Sequence, residues 1–303
     1  MRQRIKDWML PIAMLGGAVF YKWMGHLTFL SPFLIFMMLT VTYCRIEPRE
    51  LRIGHFQAML LCAQMAFAAT VLLALMPFSH TVATGLFICV FVPTATAAPV
   101  ITGMLGGRIS HVATYSLLCN LFVAVTGPVI LAAIGDTHMS FAASFYRICS
   151  GVLPLLIMPI VTAFVLRYTF RRFHDFLATN QSLSFYMWAV ALFIVVGSSV
   201  SFIIRNFDPA HLPEIIALAI GAGLVCFAQF ALGRKVGARF ADKVAGGQSL
   251  GQKNTVLAIW LALAYLNPLA SVAPAAYVAW HNTVNSWQLI RHHAKQNGPH
   301  HAK

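Results

Sequence analysis

Long uninterrupted apolar runs dominate the chain, and they set what it can fold into. Between charged or Pro/Gly punctuation, ten segments stand out at roughly 8–24, 27–44, 56–77, 82–105, 110–134, 148–169, 183–204, 213–232, 238–266 and 270–290. A spanning helix needs about 20 apolar residues. The runs are continuous rather than alternating, which excludes the strands of a membrane barrel. Of the 303 residues, 59% are hydrophobic and 10% charged, against about 45–50% apolar and about 25% charged in soluble domains. A water-facing core cannot absorb that much apolar surface. The sequence predicts an all-α polytopic membrane protein with ten transmembrane helices.

The charges give an independent reading of the same count. The formal net charge is +13, from 21 Lys and Arg against 8 Asp and Glu. Nucleic-acid binding is not the reading, because membrane proteins gather Lys and Arg in cytoplasmic loops. With the N-terminus inside, 17 basic residues fall on the cytoplasmic side and three outside (Lys22, Arg147 and Arg205). This orientation places both termini in the cytoplasm and the protein in the inner (plasma) membrane. The basic start Met1 to Asp7 has the look of a signal-peptide n-region, but Tyr21-Lys22-Trp23 follows the apolar run as an interfacial anchor would, so the run is read as the first span. The six cysteines show no metal or paired spacing.

Ten spans divide into two halves of five, and an odd number makes any repeat inverted. The first half is read as 1–134, an extracytoplasmic connection as 135–147, the second half as 148–291, and a His-rich cytoplasmic tail as 292–303. The fourth segment of each half is interrupted. One carries Pro93 and Pro99 in mid-run; the other carries Ala245-Gly-Gly-Gln-Ser-Leu-Gly-Gln-Lys-Asn254. Proline removes a backbone donor and glycine loosens a helix. Interruptions at corresponding positions of two halves point to a transporter's binding site.

Three stretches carry a family resemblance. Gly85-Leu-Phe-Ile-Cys-Val-Phe-Val-Pro93 with Thr96-Ala97 is similar to the fourth-helix run of the bile acid:sodium symporter family. Gly251 and Asn254-Thr255 sit where that family has Glu-x-Gly-x-Gln-Asn in its ninth helix, and Trp280-His281-Asn282 resembles a His-Asn pair in its tenth. The resemblance implies ten helices in a panel and a core domain, with the broken fourth and ninth helices crossing in the core. It also implies Thr96, His281 and Asn282 near substrate. The departures concern sodium. The family's Ser-Asn ligands fall on Ala98 and Pro99, its Glu on Ser249, and its sodium-binding Gln on Lys253. All eight acidic residues map to loops, tails or span ends, whereas hard cations take several oxygen ligands, usually including an anionic one. No cofactor is expected, and the usual sodium sites look dismantled.

Lys253 stands where the metal would. A lysine at a helix centre costs about 2.5–3.5 kcal/mol on insertion scales, so one in mid-span is expected to have a role. Its ammonium is expected to take the place of the bound cation, held by backbone carbonyls, Ser249 and Gln64, with Gln252 and Asn254 beside it; a neutral form would serve proton coupling. The positive charge, with half-helix N-termini near Thr94 and Ser249, favours an anion. Thr94, Thr96, His281 and Asn282 are the candidate substrate residues, with Thr283 and Asn285 further donors on the tenth segment. Gln57, Asn120 and Gln229 read as interhelical glue, and Ser198, Ser199, Ser201, Gly16, Gly17, Gly221 and Gly223 as close-packing positions. The expected partners are a small or amphipathic organic anion and the lipid bilayer, and the oligomeric state is left open. The expected activity is secondary transport by alternating access. A proton-coupled exchanger, an intramembrane enzyme using His281 and Ser249, and a channel or receptor are the competing readings.

Overall fold

The computed structural model describes residues 12–46, 53–135, 140–180, 182–205 and 208–296. Among them no strand forms, and the secondary structure is helical throughout. The expectations for residues 1–11 and for the tail beyond Gln296 lie outside the described residues.

Helix α1 covers residues 12–19, and α2 (Tyr21–Leu27) follows at a bend on Phe20 (φ −90°, ψ 21°). A 3-10 turn, Thr28–Leu30, leads into α3 (Ser31–Cys44). The two segments expected at 8–24 and 27–44 are thus one helical stretch with bends, and Tyr21–Cys44 is long and apolar enough to cross a membrane. Five more helices meet that description: α4 (His55–Leu75), α7 (Ile109–Ile134), α8 (Phe141–Thr169), α10 (Ser182–Arg205), and α11 (Leu212–Ala238) with the 3-10 turn Pro209–His211 before it. Together they make this an integral multi-pass membrane protein.

Between these lie the interrupted segments. The fourth splits into α5 (His80–Phe91) and α6 (Ala98–Met104); the ninth splits into α12 (Lys243–Gly251) and α13 (Thr255–Tyr265). The chain ends its described part in α14 (Val272–Gln296). Caps set several helix starts: Ser79 accepts from the Val82 N–H, Ser140 from Ala143, Asp242 from Ala245 and Asn254 from Leu257, each satisfying a donor with no intrahelical partner. The Ser140 cap starts α8 inside the stretch read as a connection. Helix α9 (Arg171–Thr179) has no counterpart among the ten expected segments. It is short and strongly amphipathic, burying His174 and Leu177 and exposing Phe173 and Phe176.

The helices pack as two groups. Helices α2, α3, α8, α9 and α10 lie against one another, and α4 to α7 pack with α11 to α14. Small residues set the closest approaches. A Cβ on Gly17 would collide with the Phe193 carbonyl, and one on Gly223 would lie 2.8 Å from the Trp280 ring. Ser198 shares a hydrogen bond with Thr28 at 2.7 Å within the first group, and Ser271 donates to Ser199 at 2.9 Å, joining the second group to it. Gln57 and Asn120 depart from the interhelical reading: Gln57 accepts from the Gly54 N–H at 3.0 Å, and Asn120 donates to the Ser116 carbonyl of its own helix at 2.7 Å.

Candidate site at the crossing of the broken helices

Proline sets the end of helix α5. A residue before proline is pushed out of helical geometry, and Val92 adopts φ −57°, ψ 153° ahead of Pro93. Pro99 sits in the first turn of α6, where its missing N–H costs nothing. The half-helix therefore starts at Ala98, not near Thr94. The second break differs from expectation as well. The glycines Gly246, Gly247 and Gly251 lie inside α12, not at the interruption. They permit contact: a Cβ on Gly246 would strike the Gly233 carbonyl of α11, and one on Gly251 the Phe230 ring. The unwound residues are Gln252 to Asn254, and α13 starts at Thr255 behind its Asn254 cap.

The two breaks cross as an antiparallel bridge between Thr94 and Lys253. Asn254 N–H donates to the Pro93 carbonyl and Ala95 N–H to the Gln252 carbonyl, both at 2.9 Å. The Thr94 hydroxyl donates to the Ser249 carbonyl at 2.7 Å. Unwound backbone inside a bilayer must be satisfied by protein, and side chains from neighbouring helices complete the task. Gln64 of α4 donates to the Phe91 and Val92 carbonyls at 3.0 and 3.3 Å. Gln229 of α11 donates to the Cys89 carbonyl at 3.3 Å, and Tyr277 of α14 to the Gly251 carbonyl at 2.8 Å.

Each glutamine is steered by a tyrosine. The Tyr115 hydroxyl of α7 donates to Gln64 Oε1 at 2.5 Å, and Gln229 Nε2 donates to the Tyr277 hydroxyl at 2.8 Å. Each pair flanks one broken segment: Gln64 on α4 with Tyr115 on α7 beside α5 and α6, and Gln229 on α11 with Tyr277 on α14 beside α12 and α13.

Lys253 is 1% exposed, and its Nζ donates to the Val92 carbonyl at 3.1 Å. Val92 thus accepts from both Lys253 and Gln64. Two expected partners of the amine are placed differently. Gln64 meets it only through that shared carbonyl, and the Ser249 hydroxyl is buried without a hydrogen-bond partner. The four acidic residues among those described, Asp175, Asp208, Glu214 and Asp242, sit on α9 or at helix starts.

The candidate substrate residues are only partly gathered. Thr94 is buried at the bridge and Thr96 half-buried on the linker. His281 lies on the stripe of α14 that also holds Tyr277, Asn285 and Gln288, all buried, and its Nδ1 has no partner. Asn282 turns to the Val278 carbonyl of its own helix at 2.7 Å, and Thr283 is exposed and bonded to Ala279. Gln248, which no sequence motif singles out, donates to Asn285 and Gln288, both at 3.1 Å. Gln248 Oε1, Ser249 Oγ, Gln252 Oε1, Asn254 Nδ2, His281 Nδ1 and Asn285 Nδ2 remain buried and unpartnered. These atoms give the crossing its free hydrogen-bonding capacity.

The sequence profile of the Sodium Bile acid symporter family matches residues 27–206. This chain belongs to that family. The match takes in the fourth-segment motif Gly85 to Ala97 and ends before Lys253, His281 and Asn282, whose correspondence rests on the residues themselves. No curated protein matches the chain. Membership places the molecule among transporters of small organic substrates in a lipid setting, and the crossing described above is where its two interrupted segments meet.

Proposed function

We propose that this protein is a secondary transporter of an organic anion that works by alternating access without sodium coupling, with the Lys253 ammonium standing as a built-in cation. The observation that carries this reading is the Lys253 amine, 1% exposed and bonded to the Val92 carbonyl at the bridge of the two broken helices. The donor set does not fit a sodium ion. Neutral oxygens are free there, among them Gln248 Oε1, Ser249 Oγ and Gln252 Oε1. The acidic residues among those described, however, lie on α9 or at helix starts, and the Lys253 amine already occupies the bridge. Hard cations usually take a carboxylate among their ligands. A fixed positive charge next to the bridge repels a second one and attracts an anion.

In this reading Lys253 and Gln64 hold the end of α5 in place, as a metal would by ligating it. The free polar atoms of Gln248, His281 and Asn285 face an incoming substrate together with Thr96. The helices α6 and α13 start at the crossing, so their N-terminal dipole ends add to the preference for negative charge. The Gln64–Tyr115 and Gln229–Tyr277 pairs, one beside each broken segment, support two inverted repeats. The basic loops support an inner-membrane orientation with cytoplasmic termini. An enzyme reading finds little support: His281 Nδ1 and Ser249 Oγ are both without partners, and a nucleophile needs an oriented base within hydrogen-bond reach.

Uptake by proteoliposomes tests the proposal. A radiolabelled bile acid and smaller carboxylates should accumulate saturably and equally in sodium and in choline buffers, and Lys253→Gln should reduce uptake at least about tenfold at equal protein insertion. Uptake that needs sodium, or that survives the substitution unchanged, contradicts it.

A further inference from the structure

Away from the crossing, the end of the molecule that the positive-inside bias assigns to the cytoplasm holds a cavity of about 430 Å³ lined by Arg45, Arg167, Arg171, His174 and Asp175, with Tyr168 at its side. The Asp175 carboxylate is engaged by the His174 ring at 3.1 Å and by Arg171 at 3.9 Å. Arg45 and Arg167 have no carboxylate partner among the described residues. The lining therefore carries a net positive charge with two guanidinium groups available, and guanidinium matches phosphate in bidentate geometry.

The cavity does not stop at its charged rim. Ile46, Arg167 and His174 also line a narrow apolar groove between α3, α7 and α8, completed by Tyr43, Ile160 and Phe164. The Tyr43 hydroxyl is buried there without a hydrogen-bond partner. A basic chamber that shares Ile46, Arg167 and His174 with an apolar groove has the polarity profile of a phospholipid, phosphate followed by acyl chain. The surroundings are those of a membrane interface. Helix α9 is amphipathic and lies across α3 and α8. Phe164, Tyr168, Phe170, Phe173 and Phe176 are exposed around it, as aromatic side chains are at headgroup level.

We infer that the Arg45–Arg167 chamber and the Tyr43 groove form a binding site for one anionic phospholipid. The phosphate lies between the two arginines, and an acyl chain enters along Ile160 and Phe164. Basic pockets between membrane helices on the cytoplasmic side commonly bind acidic headgroups. The site joins α3 and α8 through α9 and reaches α7, so the lipid would tie that group of helices to the one holding the crossing.

Native mass spectrometry of the full-length protein in mild detergent, titrated with phosphatidylglycerol or with phosphatidylcholine of the same chains, tests the site. The wild type should retain one phosphatidylglycerol with a preference of about tenfold. The Arg45→Gln/Arg167→Gln variant should bind the two lipids alike, whereas Lys235→Gln/Arg239→Gln, on another part of the surface, should keep the preference. Equal wild-type binding of both lipids overturns the inference without recourse to any variant. Displacement of the lipid by inorganic phosphate at matched concentration overturns it too, since the site would then be one for a free anion.

Discussion

At the residue scale the crossing is a problem of orphaned carbonyls. Breaking a helix frees acceptors that water cannot reach in a bilayer, and each one left unpaired costs about 1–3 kcal/mol. Gln64 answers for two of them and Gln229 for one. Substituting Gln64→Ala should therefore lower stability in detergent by about 1–3 kcal/mol, and by more than Gln229→Ala does. Tyr115→Phe added to Gln64→Ala should cost little further, because the hydroxyl donates to the amide that has been removed. Thermal unfolding of the single and double variants beside the wild type checks this, and strict additivity would argue against the pair acting as a unit. Lys253 is legible from sequence as a charge in an apolar run. Tyr115 and Tyr277 are not, because a tyrosine in a membrane helix looks like any large side chain until its hydroxyl is seen to reach a glutamine. Gln248 is hidden for another reason: it sits among glycines that read as a flexible break.

At the scale of elements, the interruptions have two different causes. In the fourth segment the prolines dictate the break, and their spacing makes it readable. In the ninth, an asparagine cap and the bridge to Thr94 set the break, and the glycines serve the contact of α12 with α11. Gly246→Val tests that distinction. If the glycine only loosened the helix, a larger residue would stabilise α12. The observed approach to the Gly233 carbonyl predicts instead a loss of about 1–3 kcal/mol through overpacking, seen as a lower melting temperature. A raised melting temperature would contradict the contact. The long spans are legible because hydrophobicity and length suffice to mark them. Helix α9 escapes such a scan because nine residues with charges on one face resemble a loop between long apolar runs. The joining of α1 to α3 escapes it too, because Lys22, Gly25 and His26 read as punctuation between two apolar runs, whereas the chain stays helical through them in α2.

At the scale of the whole molecule, two groups of helices meet where α7 packs on α8 and α10 on α13, and the group containing both breaks carries the buried amine. A relative that couples to sodium draws its driving force from an ion that comes and goes. On the proposed reading, the Lys253 ammonium takes the place of that ion, and the transport cycle would then rest on the substrate gradient or on protons. The family is readable from the fourth-segment motif; the substrate is not, since the crossing offers free donors and acceptors without a shape that singles out one anion. Equilibrium binding of radioactive sodium to the purified protein is the sharpest test of the built-in cation. No saturable sodium binding to the wild type is expected, whether or not an organic anion is present. Saturable sodium binding that lithium or unlabelled sodium displaces would contradict this, because the ion would then occupy the place assigned to the Lys253 amine.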